Sequence, residues 1–305
     1  MRTPGSLRRH ITLVGVPIDC VGAPQPGDPP FGTELSPAAL REARLARAVG
    51  ADDAGDLPVR LVGQARDAAT GVVGWPSVRS VTSAVRSSVH DLAASGELPF
   101  LVGGCCTLLP GALAGARDAL GPTGLAYLDG HLDLYDGQTS PTGEPADMPI
   151  SVVTDNGPAA WCRDVAAPLV GPGELALLGP RDRAEAVAFG SVMPENAGLA
   201  AELSPGALRG RGLAAAGLAA AQQLTDRAGR YWVHLDVDVL DERAFPATDY
   251  LMPGGLALDE LRDLMRPLLG HPGLAGISLG CYNPDKDAGG ASAGALVGLL
   301  GELLG

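Results

Sequence analysis

The chain has 305 residues, 46% of them hydrophobic, which is enough to bury the core of one large α/β domain or two small ones. A net charge of −13 without a basic patch argues against a nucleic-acid partner. No apolar run reaches membrane-spanning length, and five irregularly spaced cysteines favour a reducing cytoplasm over a disulfide framework.

Seven apolar and often β-branched runs predict strands along the chain. They cover residues 11–18, 59–63, 98–104, 124–130, 175–180, 231–240 and 274–282. Helix-like stretches lie between most of them, at residues 36–49, 78–96, 107–120, 207–229 and 258–269. This alternation predicts parallel βαβ units in a three-layer α/β/α sandwich, which binds ligands at the carboxyl ends of its strands. No repeat or linker interrupts the pattern, so residues 1–305 are predicted to form a single domain.

The stretch LDGHLDLYD, residues 128–136, alternates acidic and imidazole side chains directly after an apolar run. On an extended strand, Asp129, His131 and Asp133 would point to one face. Carboxylates held together repel each other unless a cation lies between them, and this donor set suits Mn²⁺, Zn²⁺ or Fe²⁺. The alternative is that these polar residues simply face water at the end of a buried strand.

A second acidic pair, Asp236 and Asp238, lies within the apolar run YWVHLDVDVL. Burying two carboxylates is costly unless they are neutralised. Two strand ends with paired acids are what a two-metal hydrolytic site requires. His234 is expected to support this site more than to bind a metal. The loops 136–149 and 240–256 follow the two acidic clusters and are candidate walls of the site.

A third strand end carries Gly103 and Gly104, followed by Cys105 and Cys106 at the start of a predicted helix. A helix N-terminus and a neighbouring metal both favour the thiolate form of cysteine. Both thiols could equally be small buried hydrophobes, which is the usual environment of a free cysteine.

Several motifs, taken in order, resemble those of the ureohydrolase family of arginase, agmatinase and formiminoglutamase. They are LVGVPID (13–19), GGCCT (103–107), DGHLD (129–133), TSPTGEPADMP (139–149), LDVDVLDERAFPAT (235–248), MPGGLALDEL (252–261) and YNPDKD (282–287). The resemblance spans nearly the whole chain. It implies an arginase-like sandwich with a mainly parallel sheet of about eight strands, usually assembled as a homo-oligomer. It also implies a site with two divalent metals, most often Mn²⁺, that hydrolyses the C–N bond of a guanidinium or amidine.

The resemblance also implies roles for individual residues. Asp129 and Asp236 would bridge the two metals, while His131 and Asp238 would complete the shell of one of them. Asp133 would bind the other metal, hold the attacking hydroxide and pass a proton to the leaving amine. His131 and Asp133 are therefore the predicted catalytic residues. Cys106 occupies the position of the family's histidine ligand, so a mononuclear site or Zn, Fe or Co is an open alternative.

The chain departs from the family at its substrate contacts. Ala146 replaces a proton-shuttle histidine, Cys281 replaces the glutamate that pairs with guanidinium, and Ala184 replaces the acid that reads an α-amino group. We therefore expect a small-molecule substrate other than that of an ordinary arginase, in specialised metabolism. The predicted substrate pocket comprises Tyr135, Ser140, Thr142, Ala146, Ala184 and Cys281.

The hydroxyarginine amidinohydrolase of the D-cycloserine pathway is the branch that the chain resembles most. It shares the cysteine at the histidine position, the Asp-Gly-His-x-Asp motif and a segment similar to PATDY (246–250). Two alternatives stay open. One is a non-catalytic homologue that serves as a binding or oligomerisation partner, and the other is a thiol enzyme that uses Cys105, Cys106 or Cys281 as nucleophile.

Overall fold

The computed structural model describes residues 10–199 and 202–305, so residues 1–9, 200 and 201 of the predicted domain lie outside the described residues. Its centre is a seven-stranded parallel sheet with the strand order β2-β1-β3-β7-β6-β4-β5. The strands are β1 (Ile11–Val16), β2 (Asp52–Asp56), β3 (Leu98–Gly103), β4 (Gly124–Leu128), β5 (Leu175–Leu178), β6 (Tyr231–Asp236) and β7 (Leu274–Gly280). The predicted sandwich is confirmed, with seven strands where about eight were expected.

Six of the seven observed strands lie within the predicted apolar runs, and the exception is the edge strand β2. The run at residues 59–63 is not a strand, and Val62 forms only an isolated bridge with Ala23. The edge strand is instead the acidic segment β2, which pairs with β1 alone. An edge strand tolerates exposed charges, and Arg41 neutralises Asp53 and Asp56 at 2.8 and 2.5 Å.

Helices cover both faces of the sheet, as its continuously buried central strands require. Two predicted helices are each divided in two. The helix predicted at residues 36–49 breaks at Arg44, which has a φ of 69°, and the one predicted at residues 207–229 breaks at Gly212. The helices are α1 (Ser36–Glu42), α2 (Leu45–Val49), α3 (Trp75–Ala94), α4 (Leu109–Leu120), α5 (Pro149–Val153), α6 (Ala159–Val165), α7 (Arg183–Ala188), α8 (Pro205–Arg211), α9 (Leu213–Ala228), α10 (Leu258–Gly270) and α11 (Ala291–Leu304).

Glycines allow neighbouring helices of the outer layers to pack closely against each other. A Cβ on Gly111 of α4 would lie 2.6 Å from the carbonyl oxygen of Thr82 in α3, so only glycine permits this approach. Gly217 of α9 packs in the same way against Leu264 of α10. Within the described parts of the chain, no helix has both the length and the apolar character needed to cross a membrane.

The strand order decides which loops meet. Strands β3, β7, β6 and β4 are consecutive neighbours and run in the same direction. Their carboxyl ends therefore share one edge of the sheet, although they come from distant parts of the sequence. Cysteines follow β3 and β7, and acidic residues follow β4 and β6.

Candidate metal centre

One group of donors joins the loop after β4 to the segment after β6. His131 Nδ1 lies 2.9 Å from Asp238 Oδ2 and 3.5 Å from Asp129 Oδ1. The backbone holds both carboxylates in place, because Asp238 Oδ1 accepts the Gly130 N–H at 2.8 Å and Asp129 Oδ1 accepts the His131 N–H at 2.7 Å. The donor atoms of Asp129, His131 and Asp238 all lie within 4.8 Å of one another.

The loop after β4 is more sharply folded than an extended strand. Strand β4 ends at Leu128, so the spacing of Asp129, His131 and Asp133 does not act through a strand face. Asp133 adopts a left-handed conformation with a φ of 49°, and its carbonyl oxygen accepts the N–H groups of residues 150 and 151. The Tyr127 hydroxyl, from within β4, donates a hydrogen bond to Asp133 Oδ2. A turn held by these contacts is therefore what brings Asp133 to the site.

A second group of donors surrounds the thiol of Cys106. Its Sγ lies 2.9 Å from Asp236 Oδ2, 3.7 Å from Cys281 Sγ and 3.2 Å from His234 Nε2. Asp129 Oδ2 is 3.9 Å away, so Asp129 lies between the two groups of donors. The donor atoms of Cys106, Asp236 and Cys281 also fall within 4.8 Å of one another.

Burial governs the charge of these carboxyl groups. It raises the pKa of Asp129 to about 7, with the charge of Asp238 adding to the effect. It also raises the pKa of Asp133 and Asp236 well above their usual range, with further contributions from neighbouring carboxylates. Burial acts the same way on Asp238, but the charge of His131 outweighs it and lowers that pKa. One imidazolium cannot neutralise four buried acids, whereas divalent cations with oxygen and imidazole ligands can.

A cavity of about 90 Å³ opens onto both groups of donors. Four of the predicted pocket residues, Tyr135, Thr142, Ala146 and Cys281, line this cavity. The other lining residues are Cys20, Cys106, His131, Asp133, Pro141, Asp147, Asp182, Glu185, Asp236, Asp238 and Tyr250. No lysine or arginine of the described residues is among them, so the cavity has a strongly acidic wall.

Two predicted pocket residues do not line the cavity. Ser140 is buried behind the wall, where its hydroxyl donates to Asp147 Oδ2 at 2.7 Å. Ala184 is exposed to solvent because it lies on the outer side of the turn that begins α7. Two acids on that turn, Asp182 and Glu185, line the cavity instead. The chain therefore lacks the family's acid at position 184 but has carboxylates nearby on both sides of that position, at Asp182 and Glu185.

Three acids and one tyrosine of the cavity lining were not predicted from the sequence: Asp147, Asp182, Glu185 and Tyr250. The three acids among them are called the rim acids below. Asp182 stands out because its Oδ2 accepts the Leu132 N–H at 3.2 Å, while its buried Oδ1 has no hydrogen-bond partner among the described residues. Tyr250 places its ring edge-on to His131, with ring centroids 6.1 Å apart. The signal available in the sequence was the position of Asp147 in the loop already expected to form a wall.

The thiols are poorly suited to nucleophilic attack. Cys105 and Cys106 are almost completely buried, and burial raises both pKa values well above the ordinary range. Cys105 points to Thr107 Oγ1 at 3.2 Å, not into the cavity. A thiol enzyme needs an accessible thiolate, so this alternative has the weakest support in the structure.

Comparison with known proteins agrees with this architecture. The model of the arginase family matches residues 9–305. The arginase of Agrobacterium fabrum (strain C58) is 25% identical over 307 residues, which cover 96% of this chain and 90% of that protein. The arginase structure from Bacillus caldovelox has a TM-score of 0.84 at 22% identity, covering 97% of this chain and 98% of that one. The formimidoylglutamase structure from Bacillus subtilis has a TM-score of 0.71 at 20% identity, covering 99% and 88%. At these identities the two structures show the fold alone.

The parallel sheet and the acid-lined cavity at its carboxyl edge are those of a metallohydrolase that acts on amidino or guanidino groups. The chain belongs to the arginase family, because the family model matches nearly all of it. The resemblance to the ureohydrolases is therefore confirmed, while the closer likeness to the hydroxyarginine branch stays a prediction.

Proposed function

We propose that this metallohydrolase cleaves the C–N bond of a guanidino, N-hydroxyguanidino or amidine-type small molecule other than free arginine. The observation that carries the proposal is that metal-binding donors from the ends of β4 and β6 meet beneath a cavity with an acidic rim. The rim acids Asp147, Asp182 and Glu185 suit a cationic group on the substrate. The free Oδ1 of Asp182 offers a buried acceptor for one of its N–H groups.

The reacting end of the substrate would meet a different surface. Cys281 supplies no carboxylate for a guanidinium, and a buried cation without a partner is strongly disfavoured. An N-hydroxylated or otherwise less basic group avoids that cost. The amine that leaves is the same alkylamine in both cases, so with Ala146 in place of a histidine the proton for it would come from Asp133. These features support a substrate different from that of an ordinary arginase.

The residues present fit two divalent cations. Asp129, His131, Asp236 and Asp238 would hold one ion, and Cys106, Asp129, Asp133 and Asp236 the other, with Mn²⁺ as the first candidate. When bound, such ions act as Lewis acids and make water a stronger acid at neutral pH. Asp133 is held by Tyr127 and would accept a proton from the attacking water and deliver it to the leaving amine. The cavity of about 90 Å³ would exclude most bulk water from this transfer.

The test pairs metal analysis with product release. Protein purified with Mn²⁺ is assayed for metal content by elemental analysis and for urea or hydroxyurea release from arginine, agmatine and N-hydroxyarginine. We expect at least one bound ion per chain, and faster release from the N-hydroxylated substrate than from arginine. Asp238→Asn should lose metal and activity together. Asp259→Asn, an exposed acid in the first turn of α10, is the matched control and should lose neither.

The outcomes separate the alternatives. Bound metal without turnover of any amidine or guanidine would favour the non-catalytic homologue. Activity that survives exhaustive chelation would overturn the proposed metal dependence. The predicted homo-oligomer and cytoplasmic location remain predictions.

A further inference from the structure

We propose that Cys281 joins Cys106 and Asp236 to form a thiolate-rich site that selects a soft divalent cation such as Zn²⁺ or Co²⁺ over Mn²⁺. This inference rests on the proposed function only in placing a metal ion at this end of the cavity. It changes the role of Cys281 from a wall of the substrate pocket to a metal ligand, and Cys281 then takes the place that the proposed function gives to Asp129 and Asp133 at this ion. The centre would then hold one soft ion and one hard ion, the latter bound by Asp129, His131 and Asp238.

The distance between the two sulfur atoms is the main argument. Two thiolates bound to one tetrahedral Zn²⁺ at about 2.3 Å stand roughly 3.8 Å apart. Cys106 Sγ and Cys281 Sγ are 3.7 Å apart, which matches that spacing without movement. A disulfide would require a separation of about 2.05 Å, so the thiols are not at bonding distance. The third donor, Asp236 Oδ2, lies 2.9 Å from Cys106 Sγ and needs to retreat by less than ~1 Å to share a tetrahedral ion.

The backbone holds Cys281 in an unusual conformation that aims its sulfur at Cys106. Cys281 has a φ of 65°, in the left-handed region that non-glycine residues seldom adopt. Its N–H donates to the carbonyl oxygen of Gly104 at 2.6 Å, which ties the end of β7 to the end of β3. Such strain persists where the surrounding structure fixes it, and it concentrates at functional sites.

His234 supports the same sulfur from another direction. Its Nε2 lies 3.2 Å from Cys106 Sγ, and His234 forms a separate group of possible donors with Cys106 and Asp129, outside the group of Cys106, Asp236 and Cys281. Ser278 Oγ lies 2.7 Å from Nδ1 and accepts the Trp232 indole N–H at 2.9 Å, so the ring is fixed in the core. We assign His234 as a positioning residue that hydrogen-bonds the Cys106 sulfur.

Donor softness gives the site its selectivity. Thiolate ligands favour Zn²⁺, Co²⁺ and Fe²⁺, whereas carboxylate ligands accept Mn²⁺ readily. Three protein ligands with a fourth position free are also the arrangement of catalytic zinc sites. Cys106 and Cys281 replace a histidine and a glutamate of the family. These two replacements then form one coordinated change, because Cys106 follows β3 and Cys281 follows the neighbouring strand β7.

Cobalt absorption tests this proposal without any activity assay. Co²⁺ bound to thiolate shows a sulfur-to-metal charge-transfer band in the near ultraviolet, which oxygen and nitrogen ligands do not produce. We expect the band in the cobalt-loaded full chain, and we expect Cys281→Ser and Cys106→Ser each to reduce it by about half. Cys105→Ser, a change at the neighbouring buried thiol that hydrogen-bonds Thr107, should leave the band unchanged. A band of full intensity in Cys281→Ser would overturn the proposal.

A second variant guards against loss of folding. Cys281→Asp keeps a ligand of similar length but replaces sulfur with oxygen, and circular dichroism reports whether each variant is folded. It should halve the band and shift the ion retained from an equimolar Zn²⁺ and Mn²⁺ mixture toward Mn²⁺. Unchanged metal preference in the folded variant would count against Cys281 as a ligand.

Different experimental outcomes would refute the soft site and the proposed hydrolase function. His131→Ala should abolish hydrolysis and keep the thiolate band, because His131 belongs to the hard site. A wild-type protein with the band but no turnover would refute the hydrolase and retain the soft site. Turnover by a protein that lacks the band would refute the soft site alone.

Discussion

Glu144 offers a prediction that can be worked out from its surroundings. Its carboxyl is buried near the cavity and accepts the Tyr250 hydroxyl at 2.7 Å. Burial raises its pKa to about 7, although the Tyr250 hydrogen bond opposes the change. The pKa of Glu144 is therefore about 7 in the folded protein and about 4.5 in the unfolded chain. The favourable contribution of this carboxyl to the free energy of unfolding is fully present below about pH 4.5 and is lost as the pH rises through about 7.

We expect Glu144→Gln to stabilise the protein, and more at pH 8 than at pH 5. Ionising a carboxyl whose pKa has risen from about 4.5 to about 7 costs roughly 3 kcal/mol, of which ~2.5 kcal/mol develops between pH 5 and pH 8. For a chain of this length, that difference is roughly 4 °C in melting temperature. Glutamine keeps an oxygen that can accept the Tyr250 hydrogen bond.

Thermal unfolding followed by circular dichroism at both pH values measures the effect. Comparing variant and wild type at each pH removes the pH dependence that the metal ligands contribute to both. Glu42→Gln, at an exposed position at the end of α1, is the matched control and should show no difference between the two pH values. A gain that is equal at pH 5 and pH 8, or a loss at pH 8, would refute the assignment of a destabilised carboxylate.

Three further predictions concern the site. Tyr127→Phe removes the hydrogen-bond donor to Asp133 and should lower kcat at least about 10-fold with little change in KM. The reason is that a hydrogen bond to a charged group is worth roughly 1.5–3 kcal/mol. An unchanged kcat would mean that Asp133 does not need this hydrogen bond. Arg181→Ala leaves three backbone carbonyls between residues 238 and 252 without their charged donor, so urea denaturation should show a loss of about 2–3 kcal/mol. Adding Mn²⁺ or Zn²⁺ to the chelated protein at about 100 times Kd should raise its melting temperature by roughly 4 °C, and no shift would show that the native state binds neither ion.

The fold was largely predictable because its central strands are buried on both faces and read as continuous apolar runs. Strand β2 escaped prediction because an edge strand can consist of exposed acids when a partner such as Arg41 neutralises them. The breaks at Arg44 and Gly212 also escaped, because helix periodicity continues across a single left-handed or glycine residue.

The clustering of acids at the ends of β4 and β6 could be predicted from the sequence. Carboxylates within apolar runs are costly to bury without a partner, whatever the details of the fold. The pairing of Cys106 with Cys281 could not be predicted, because it depends on β3 and β7 being neighbours in the sheet. The rim acid Glu185 was missed for a simpler reason. Position 184 lies on the outer side of the first turn of α7, and a helical turn presents the next residue to the cavity.

The sheet order has a consequence for how the protein is made. Cys106 and Cys281 are separated by 175 residues, so a ribosome working at about 5–20 residues per second needs roughly 10–35 s between them. During that interval the earlier thiol has no partner sulfur and no finished strand to shield it from peroxide. The proposed soft site can therefore be completed only at the end of synthesis, and on that proposal zinc-starved cells should accumulate chains oxidised at Cys106.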